Sequence, residues 1–188
     1  MQWNTIHPPI EPIYSLTERF GYLRLYTREE VMNEICLPSF VGRRQRHKVF
    51  LARTAMEFTP AAENEEAGIA LVQDDRFHYL MVLTQKNGKL VLQAYKTENG
   101  IKSLLTETEV RDTKRIYLSV QGNTTDYDFY YGHNDQEMIP LIRGLKASLL
   151  SSVINNGFTG TYIGMYTSSN HHSSTNHADF DWFNYQGE

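Results

Sequence analysis

Two aspartates near the end of the chain have a spacing that could support acid–base chemistry. Asp179 and Asp181 lie two residues apart in ADFDWFNY (178–185), a segment that we predict to be a strand. Alternate residues of a strand face the same side, about 6.5–7 Å apart. Glycosidases hold two carboxylates about 5–5.5 Å or about 6.5–9.5 Å apart across the bond they cleave. Neighbours on one strand do not flank a substrate in this way. We therefore predict hydrogen bonds to neighbouring loops for this pair, with a structural calcium ion as the alternative, and we assign no catalytic residue.

Residues 43–48 form a basic cluster, a composition typical of a nucleic-acid-binding patch. Strand alternation sends Arg44 and Arg46 to one face and Arg43 and His47 to the other, which divides the cluster. We therefore interpret Arg44 and Arg46 as part of an interface with an acidic partner domain, with plain solvation as the alternative.

Three histidines near the end of the chain are a candidate metal site: His171, His172 and His177. No cysteine lies near them, and the only nearby acidic ligand is Asp179, so we predict a solvated loop and no metal site. The acidic segment ENEE (63–66) is interpreted in the same way, as a solvated loop that leads into a strand, with an inward-turned Glu66 as the alternative.

Strands must position these residues, because turn signals and apolar alternation recur along most of the chain. Asn87-Gly88 is a strong hairpin signal, and RIYLSVQ (115–121) alternates apolar and polar residues. The one helix candidate is IRGLKASLLSSVI (142–154), and REEVMNEI (28–35) could form a helical turn. About ten strands remain, which predicts an all-β fold, a two-sheet antiparallel β-sandwich of jelly-roll type. We assign residues 1–188 to a single domain.

Composition excludes several classes of protein. The chain has 188 residues, with 18 Lys and Arg against 22 Asp and Glu and a net charge of −4. Neither a nucleic-acid nor a membrane partner is therefore expected. The single cysteine, Cys36, excludes an internal disulfide. Prolines and glutamates interrupt the first twenty residues, so we predict no signal peptide and leave the compartment open between cytoplasm and periplasm.

Four segments together resemble a known family: SLTERFGYLRLY, SFVGRRQRH, ENEEAGIALV and FTGTYIGMYTSSNHHSSTNHADFDWFNY. In this order and at these distances they resemble the C-terminal concanavalin A-like domain of glycoside hydrolase family 43 enzymes, which are β-xylosidases and α-arabinofuranosidases. The resemblance runs from about Gln2 to Tyr185. Phe20 departs from it, because the family usually has proline there, and residues 99–114 match poorly.

The resemblance implies a sandwich that packs on a separate catalytic β-propeller carrying three acidic residues. It also implies that the sandwich lends an aromatic side chain to the rim of the active-site pocket. The matching position is Phe158 in FTG (158–160). There it would act as a wall of the substrate pocket, exclude water and stack on a pentose ring.

We therefore expect an accessory domain with no required cofactor. Its expected partners are a catalytic propeller, in the same or a neighbouring chain, and a pentose-containing oligosaccharide. One alternative is a free-standing carbohydrate-binding module for plant cell-wall glycans. The other is a self-sufficient glycoside hydrolase, which needs two carboxylates facing each other across a groove.

Overall fold

Two antiparallel β-sheets make up the protein in the computed structural model, which describes residues 3–8, 10–111, 114–155 and 160–188. In chain order the strands are β1 (Tyr14–Ser15), β2 (Leu23–Tyr26), β3 (Ser39–Arg44), β4 (Phe50–Glu57), β5 (Glu66–Val72), β6 (His78–Lys86), β7 (Lys89–Glu98), β8 (Ile101–Glu109), β9 (Ile116–Gly122), β10 (Asp126–Gly132), β11 (Ile139–Lys146), β12 (Tyr162–Ser168) and β13 (His177–Gly187). Within these described ranges a single 3-10 turn, Ala147–Leu150, is the only helical element. No helix in the described part of the chain is long and apolar enough to cross a membrane.

The strand order places two sheet edges beside the N-terminal segment. One sheet has the order β1-β2-β13-β4-β9-β10-β11, and the other has the order β3-β12-β5-β6-β7-β8. Neighbouring strands are antiparallel, so the predicted two-sheet antiparallel sandwich is confirmed. Asn4 exchanges two backbone hydrogen bonds with Gly42 of the edge strand β3, at 2.8 and 2.9 Å. The N-terminal segment therefore runs along the edge where β1 and β3 end their sheets.

Strand β6 shows how the sheets are buried. Tyr79, Met81 and Leu83 belong to the main core cluster, which also holds residues of the seven-stranded sheet. Leu80 and Val82 belong to a second cluster, on the other face of β6. Because both faces are covered, this stretch has no apolar–polar alternation.

The helix predicted at 142–154 is wrong. Ile139–Lys146 forms the edge strand β11, and only one 3-10 turn follows it. Gly144 has a φ of 74°, which is incompatible with a right-handed helix. Leu145 and Leu150 are buried in the main core. The apolar spacing that suggested a helix thus reflects the packing of a strand and the turn after it.

The helical turn suggested for REEVMNEI (28–35) is also absent, since residues 27–38 contain no helix or strand. Val31 and Met32 are nonetheless buried. Met32 packs with Phe40 of β3 in the second cluster. This irregular segment therefore serves as a cover for the outer face of the six-stranded sheet.

Candidate functional site

Asp179 lies at the centre of an ion-pair network on the outer face of the seven-stranded sheet. Strand pairing places it beside Arg24 of β2. Arg24 donates to its two oxygens at 2.8 and 3.0 Å, and Arg19 donates to Oδ2 at 2.9 Å. Asp179 is only 4% exposed. Burial alone would raise the pKa of this carboxyl group, but the bonds from Arg24 and Arg19 outweigh it and hold the pKa below its usual value.

Asp181 joins the same network through a change of register. The pairing of β13 with β4 shifts just before Trp182, which is the geometry of a β-bulge. Asp181 Oδ2 then lies 2.9 Å from Arg115 Nη1. Arg115 also donates to Glu57 at 2.7 Å, and Glu57 accepts from Arg19 at 2.8 Å. Carboxylates and guanidinium groups thus alternate along the sheet surface from Asp179 to Asp181.

The network bears on the roles suggested for the two aspartates. Both oxygens of Asp179 accept hydrogen bonds from arginines. Oδ1 accepts from Arg24 of β2, and Oδ2 accepts from Arg19 in the turn that precedes β2. Within residues 3–8, 10–111, 114–155 and 160–188, no group of three or more His, Cys, Asp or Glu side chains could hold a metal ion. The structural calcium ion stays a prediction.

The basic segment is divided between two environments. Arg44 and Arg46 are exposed. The Arg43 guanidinium lies 4.3 Å from the centre of the Tyr185 ring, and the His47 Nδ1 lies 3.3 Å from the Tyr185 hydroxyl. Arg43 and His47 therefore bind the sandwich itself, and Arg44 and Arg46 are the pair available to a partner.

Phe158, the predicted pocket wall, lies outside the described residues. The first described residue after it, Gly160, sits against Arg44: a Cβ added there would lie 3.0 Å from the guanidinium. The next residue, Thr161, accepts a backbone hydrogen bond from Gln45 at 2.9 Å. A cavity of about 300 Å³ adjoins this end of the sandwich, and Tyr127 is among its lining residues. The start of β12 and the exposed arginine thus share one end of the fold.

A second, larger hollow was not predicted from the sequence. It is a groove of about 770 Å³ at the edge formed by β1 and β3. Both tryptophans of the chain, Trp3 and Trp182, line it. The walls are mostly apolar, with Tyr14, Leu16 and Phe183 among the lining residues. The rings of Trp3 and Phe183 are nearly perpendicular, with ring centres 5.3 Å apart. We refer to this hollow as the edge groove.

A family model described as the beta xylosidase C-terminal Concanavalin A-like domain matches residues 1–186. The chain belongs to this family. A Bacteroides ovatus protein named non-reducing end alpha-L-arabinofuranosidase BoGH43B is 35% identical over 190 residues, covering 99% of this chain. The beta-xylosidase of Bacillus subtilis is 28% identical over 182 residues, covering 92% of this chain.

Solved structures agree with the family assignment. One described as Bacteroides ovatus Xyloglucan PUL GH43B has a TM-score of 0.93 and 34% identity, over 100% of this chain and 37% of its own. A xylan beta-1,4-xylosidase from Bacillus halodurans has a TM-score of 0.90 and 28% identity, over 98% of this chain and 36% of its own. The chain spans about a third of the length of these relatives, 35% of the first curated one and 33% of the second.

Within this family domain, two glutamates of the ENEE segment are buried, so the prediction of a solvated loop is wrong for Glu65, and Glu66 turns inward as the alternative had it. Glu66 is 4% exposed and accepts from Lys102 Nζ at 3.0 and 3.1 Å. Glu65 is 5% exposed and accepts from Ser174 and Asn176 at 2.6 and 2.7 Å. Burial would raise the pKa of Glu65, but these bonds hold it below its usual value. The position of Glu66 directly before the apolar run AGIALV (67–72) was the available signal.

The histidine-containing loop is held by the same contacts. Ser174 and Asn176 bind Glu65, and Asn170 donates to the Asn64 carbonyl at 2.8 Å. His171 is mostly exposed, and its Nε2 lies 3.4 Å from Glu34. The loop therefore packs on the end of β5, and at its far end His177 Nε2 lies 3.7 Å from Asp179 Oδ2.

Proposed function

We propose that this chain is the accessory domain of a pentose-releasing glycoside hydrolase, packing on a catalytic β-propeller and completing its pocket. The observation that carries the proposal is the family match over residues 1–186, together with relatives that are about three times longer. Two of those relatives are named for arabinofuranosidase and beta-xylosidase activities. We place the catalytic acids in the remaining part of such a protein.

The distribution of carboxylates supports this division of labour. Asp179 and Asp181 lie on the same strand and both bind arginines. A glycosidase needs its acid pair on opposite sides of the scissile bond. The two aspartates therefore lack the arrangement that a self-sufficient hydrolase requires.

We place the contact with the pocket at the end of the sandwich where β12 begins. Phe158 is the aromatic residue that would form the pocket wall and stack on a pentose. Arg44 and Arg46 are exposed at the adjoining end of β3, and Arg44 sits against Gly160. Exposed guanidinium groups suit an acidic partner because they form paired hydrogen bonds with carboxylates.

A hybrid enzyme tests the proposal. The part of the Bacteroides ovatus relative outside its match to this chain is joined to this chain, and hydrolysis of 4-nitrophenyl α-L-arabinofuranoside is measured. The hybrid should be active, and the isolated chain should not hydrolyse this substrate or the corresponding xyloside. Phe158→Ala should lower kcat/KM by about fivefold, since loss of one aromatic stacking contact costs about 1 kcal/mol.

Tyr130→Ala is the matched control, because Tyr130 is a half-buried aromatic residue of β10 outside the proposed contact. It should leave kcat/KM unchanged. Hydrolysis by the isolated chain would refute the proposal. A hybrid in which Phe158→Ala and Tyr130→Ala behave alike would refute the role of Phe158.

A further inference from the structure

A third hollow lies on the outer face of the seven-stranded sheet. It encloses about 230 Å³, and its lining residues are Leu51, Arg53, Asp135, Trp182, Asn184 and Gln186. Sites for drug-sized ligands usually enclose about 300–1,000 Å³. This smaller hollow therefore suits a ligand of one or two rings. We refer to it as the outer-face hollow.

The period of two adjacent strands builds most of this lining. Trp182, Asn184 and Gln186 are alternate residues of β13, so they project from the same face of the sheet. Phe183, which lies between the first two, packs against the main core. Asn184 lies opposite Arg53 of the neighbouring strand β4. These side chains therefore project together from the outer face.

Trp182 gives the hollow an aromatic wall. The register shift before this residue places it opposite Ala55 of β4, and Ala55 in turn pairs with Tyr117 of β9. The small Ala55 lets the two rings approach across it, with ring centres 6.3 Å apart and planes inclined at 46°. Thr54 Oγ1 donates to the Trp182 carbonyl at 2.6 Å. The indole is only partly exposed, so it is held in place before a ligand arrives.

The loop between β10 and β11 contributes another wall. Asp135 of this loop lies with its Oδ1 2.6 Å from Arg53 Nη2. Asn134 Oδ1 accepts the backbone N–H groups of Gln136 and Glu137 at 2.9 and 2.8 Å, a turn that fixes the loop. Arg53 and Asp135 are the two charged residues of the lining. Because their charges cancel, the hollow favours a neutral ligand over an ionic one.

Asn184 and Gln186 supply hydrogen-bonding groups that the fold does not use. Both side chains are exposed, and neither amide forms a hydrogen bond within the described part of the chain. Each amide offers a carbonyl acceptor and two N–H donors, which match neighbouring hydroxyl groups of a sugar ring. The C–H groups of a pyranose carry slight positive charge and pack on the negative face of an aromatic ring. A neutral sugar thus fits both the aromatic and the amide part of the lining.

We propose that the outer-face hollow binds a neutral pyranose residue of a β-1,4-linked glycan. The C–H face of the sugar packs on Trp182, and its hydroxyl groups bind Asn184 and Gln186. The β-1,4 linkage suits the site because equatorial bonds keep the chain extended and leave axial C–H groups on both faces of each ring. This inference goes beyond the proposed function, since the hollow lies on the sheet that does not contain β12. Such a site holds the glycan on the domain and performs no chemistry on it.

The two tryptophans provide the test, because Trp182 lines this hollow and Trp3 lines only the edge groove. The chain is labelled with 5-fluorotryptophan, the variant Trp3→Phe assigns the two ¹⁹F resonances, and xylotetraose is added. We expect a saturable shift of the Trp182 resonance at millimolar concentrations, with the Trp3 resonance unchanged. Trigalacturonic acid, which carries negative charge, should bind no more tightly than xylotetraose.

Two glutamine variants locate the site. Gln186→Ala should raise the dissociation constant for xylotetraose about fivefold, the factor that corresponds to one lost hydrogen bond. Gln121→Ala is the matched control, since Gln121 is an exposed glutamine of β9 in the same sheet that does not line the hollow. It should bind xylotetraose as the unmodified chain does.

Each other outcome contradicts a defined statement. Absence of a saturable shift of the Trp182 resonance would refute the sugar site and leave the proposed function standing. A shift of the Trp3 resonance would assign the sugar to the edge groove and refute the placement, as would equal weakening by Gln186→Ala and Gln121→Ala. Tighter binding of trigalacturonic acid would refute the preference for a neutral sugar.

Discussion

Replacing Asp179 by alanine should destabilise the domain far more than the same change at Asp181. The two residues lie two positions apart on β13, but their surroundings differ. Asp179 accepts three hydrogen bonds from two arginines, and its side chain is 6% exposed. Asp181 contacts Arg115, and both of those side chains are about a third exposed, at 31% and 32%.

The expected magnitudes follow from this difference in burial. Removing one partner of a fully buried ion pair costs about 3–5 kcal/mol, because the remaining charge loses its partner. The side chains of Arg24 and Arg19 are 20% and 32% exposed, so part of the lost interaction is regained from water. We therefore expect about 2–3 kcal/mol for Asp179→Ala, against about 0.5 kcal/mol for Asp181→Ala.

Urea and thermal denaturation followed by circular dichroism measure both values. For a domain of this size 1 kcal/mol corresponds to about 2–4 °C, so Tm should fall by at least about 4 °C for Asp179→Ala and by at most about 2 °C for Asp181→Ala. The pKa of Asp179 is lowered in the folded state, so its contribution is present above about pH 4 and is lost as pH falls through the folded-state pKa. The difference in unfolding free energy between wild type and Asp179→Ala should therefore become smaller as pH falls below about 4. Equal losses of unfolding free energy for the two variants would refute the argument. So would a difference between wild type and Asp179→Ala that does not change with pH.

Three further predictions concern the sandwich itself. Burial lowers the pKa of His78 to about 4, so the unfolding free energy should fall by about 3 kcal/mol between pH 7 and pH 4. His78→Asn keeps a side-chain N–H, and urea titrations should show a smaller change of unfolding free energy with pH for this variant. A methyl group at Gly68 would overlap the Met81 carbonyl oxygen, so Gly68→Ala should cost about 1–3 kcal/mol in the same assay. Burial raises the pKa values of Tyr79 and Tyr95 to about 12, so absorbance at 295 nm should show fewer than the 12 tyrosines ionised at pH 11 while the protein stays folded.

The fold class could be predicted from the sequence because the strands at the centre of each sheet carry strong local signals. The Asn87-Gly88 turn joins β6 to β7, as its type predicts, and Asn87 has the positive φ of 52° that such turns need. The edge strands were harder to predict from the sequence. Ile101–Glu109 forms β8 but is mostly exposed, so it lacks the alternation that burial imposes. Ile139–Lys146 has apolar residues at a spacing that also fits a helix, and only its pairing with β10 decides between the two.

The candidate site was predicted in part, and the failures share a physical cause. The separation of Arg43 from Arg44 follows from the period of strand β3, and that period is local information. The partners of Asp179 and Glu66 lie 155 and 36 residues away in the chain. The edge groove requires Trp3 and Trp182 to meet across nearly the whole sequence. Spacing along a strand cannot indicate such contacts, because they depend on the order of strands in the sheets.

The ion-pair network and the edge groove are parts of one arrangement. Arg19 binds Asp179 and Glu57 and so anchors the turn that carries Phe20 and leads from Leu16 on the groove rim. Asp181 lines the groove and also binds Arg115. Removing the Asp181 carboxylate therefore alters the groove wall as well as the contact with Arg115.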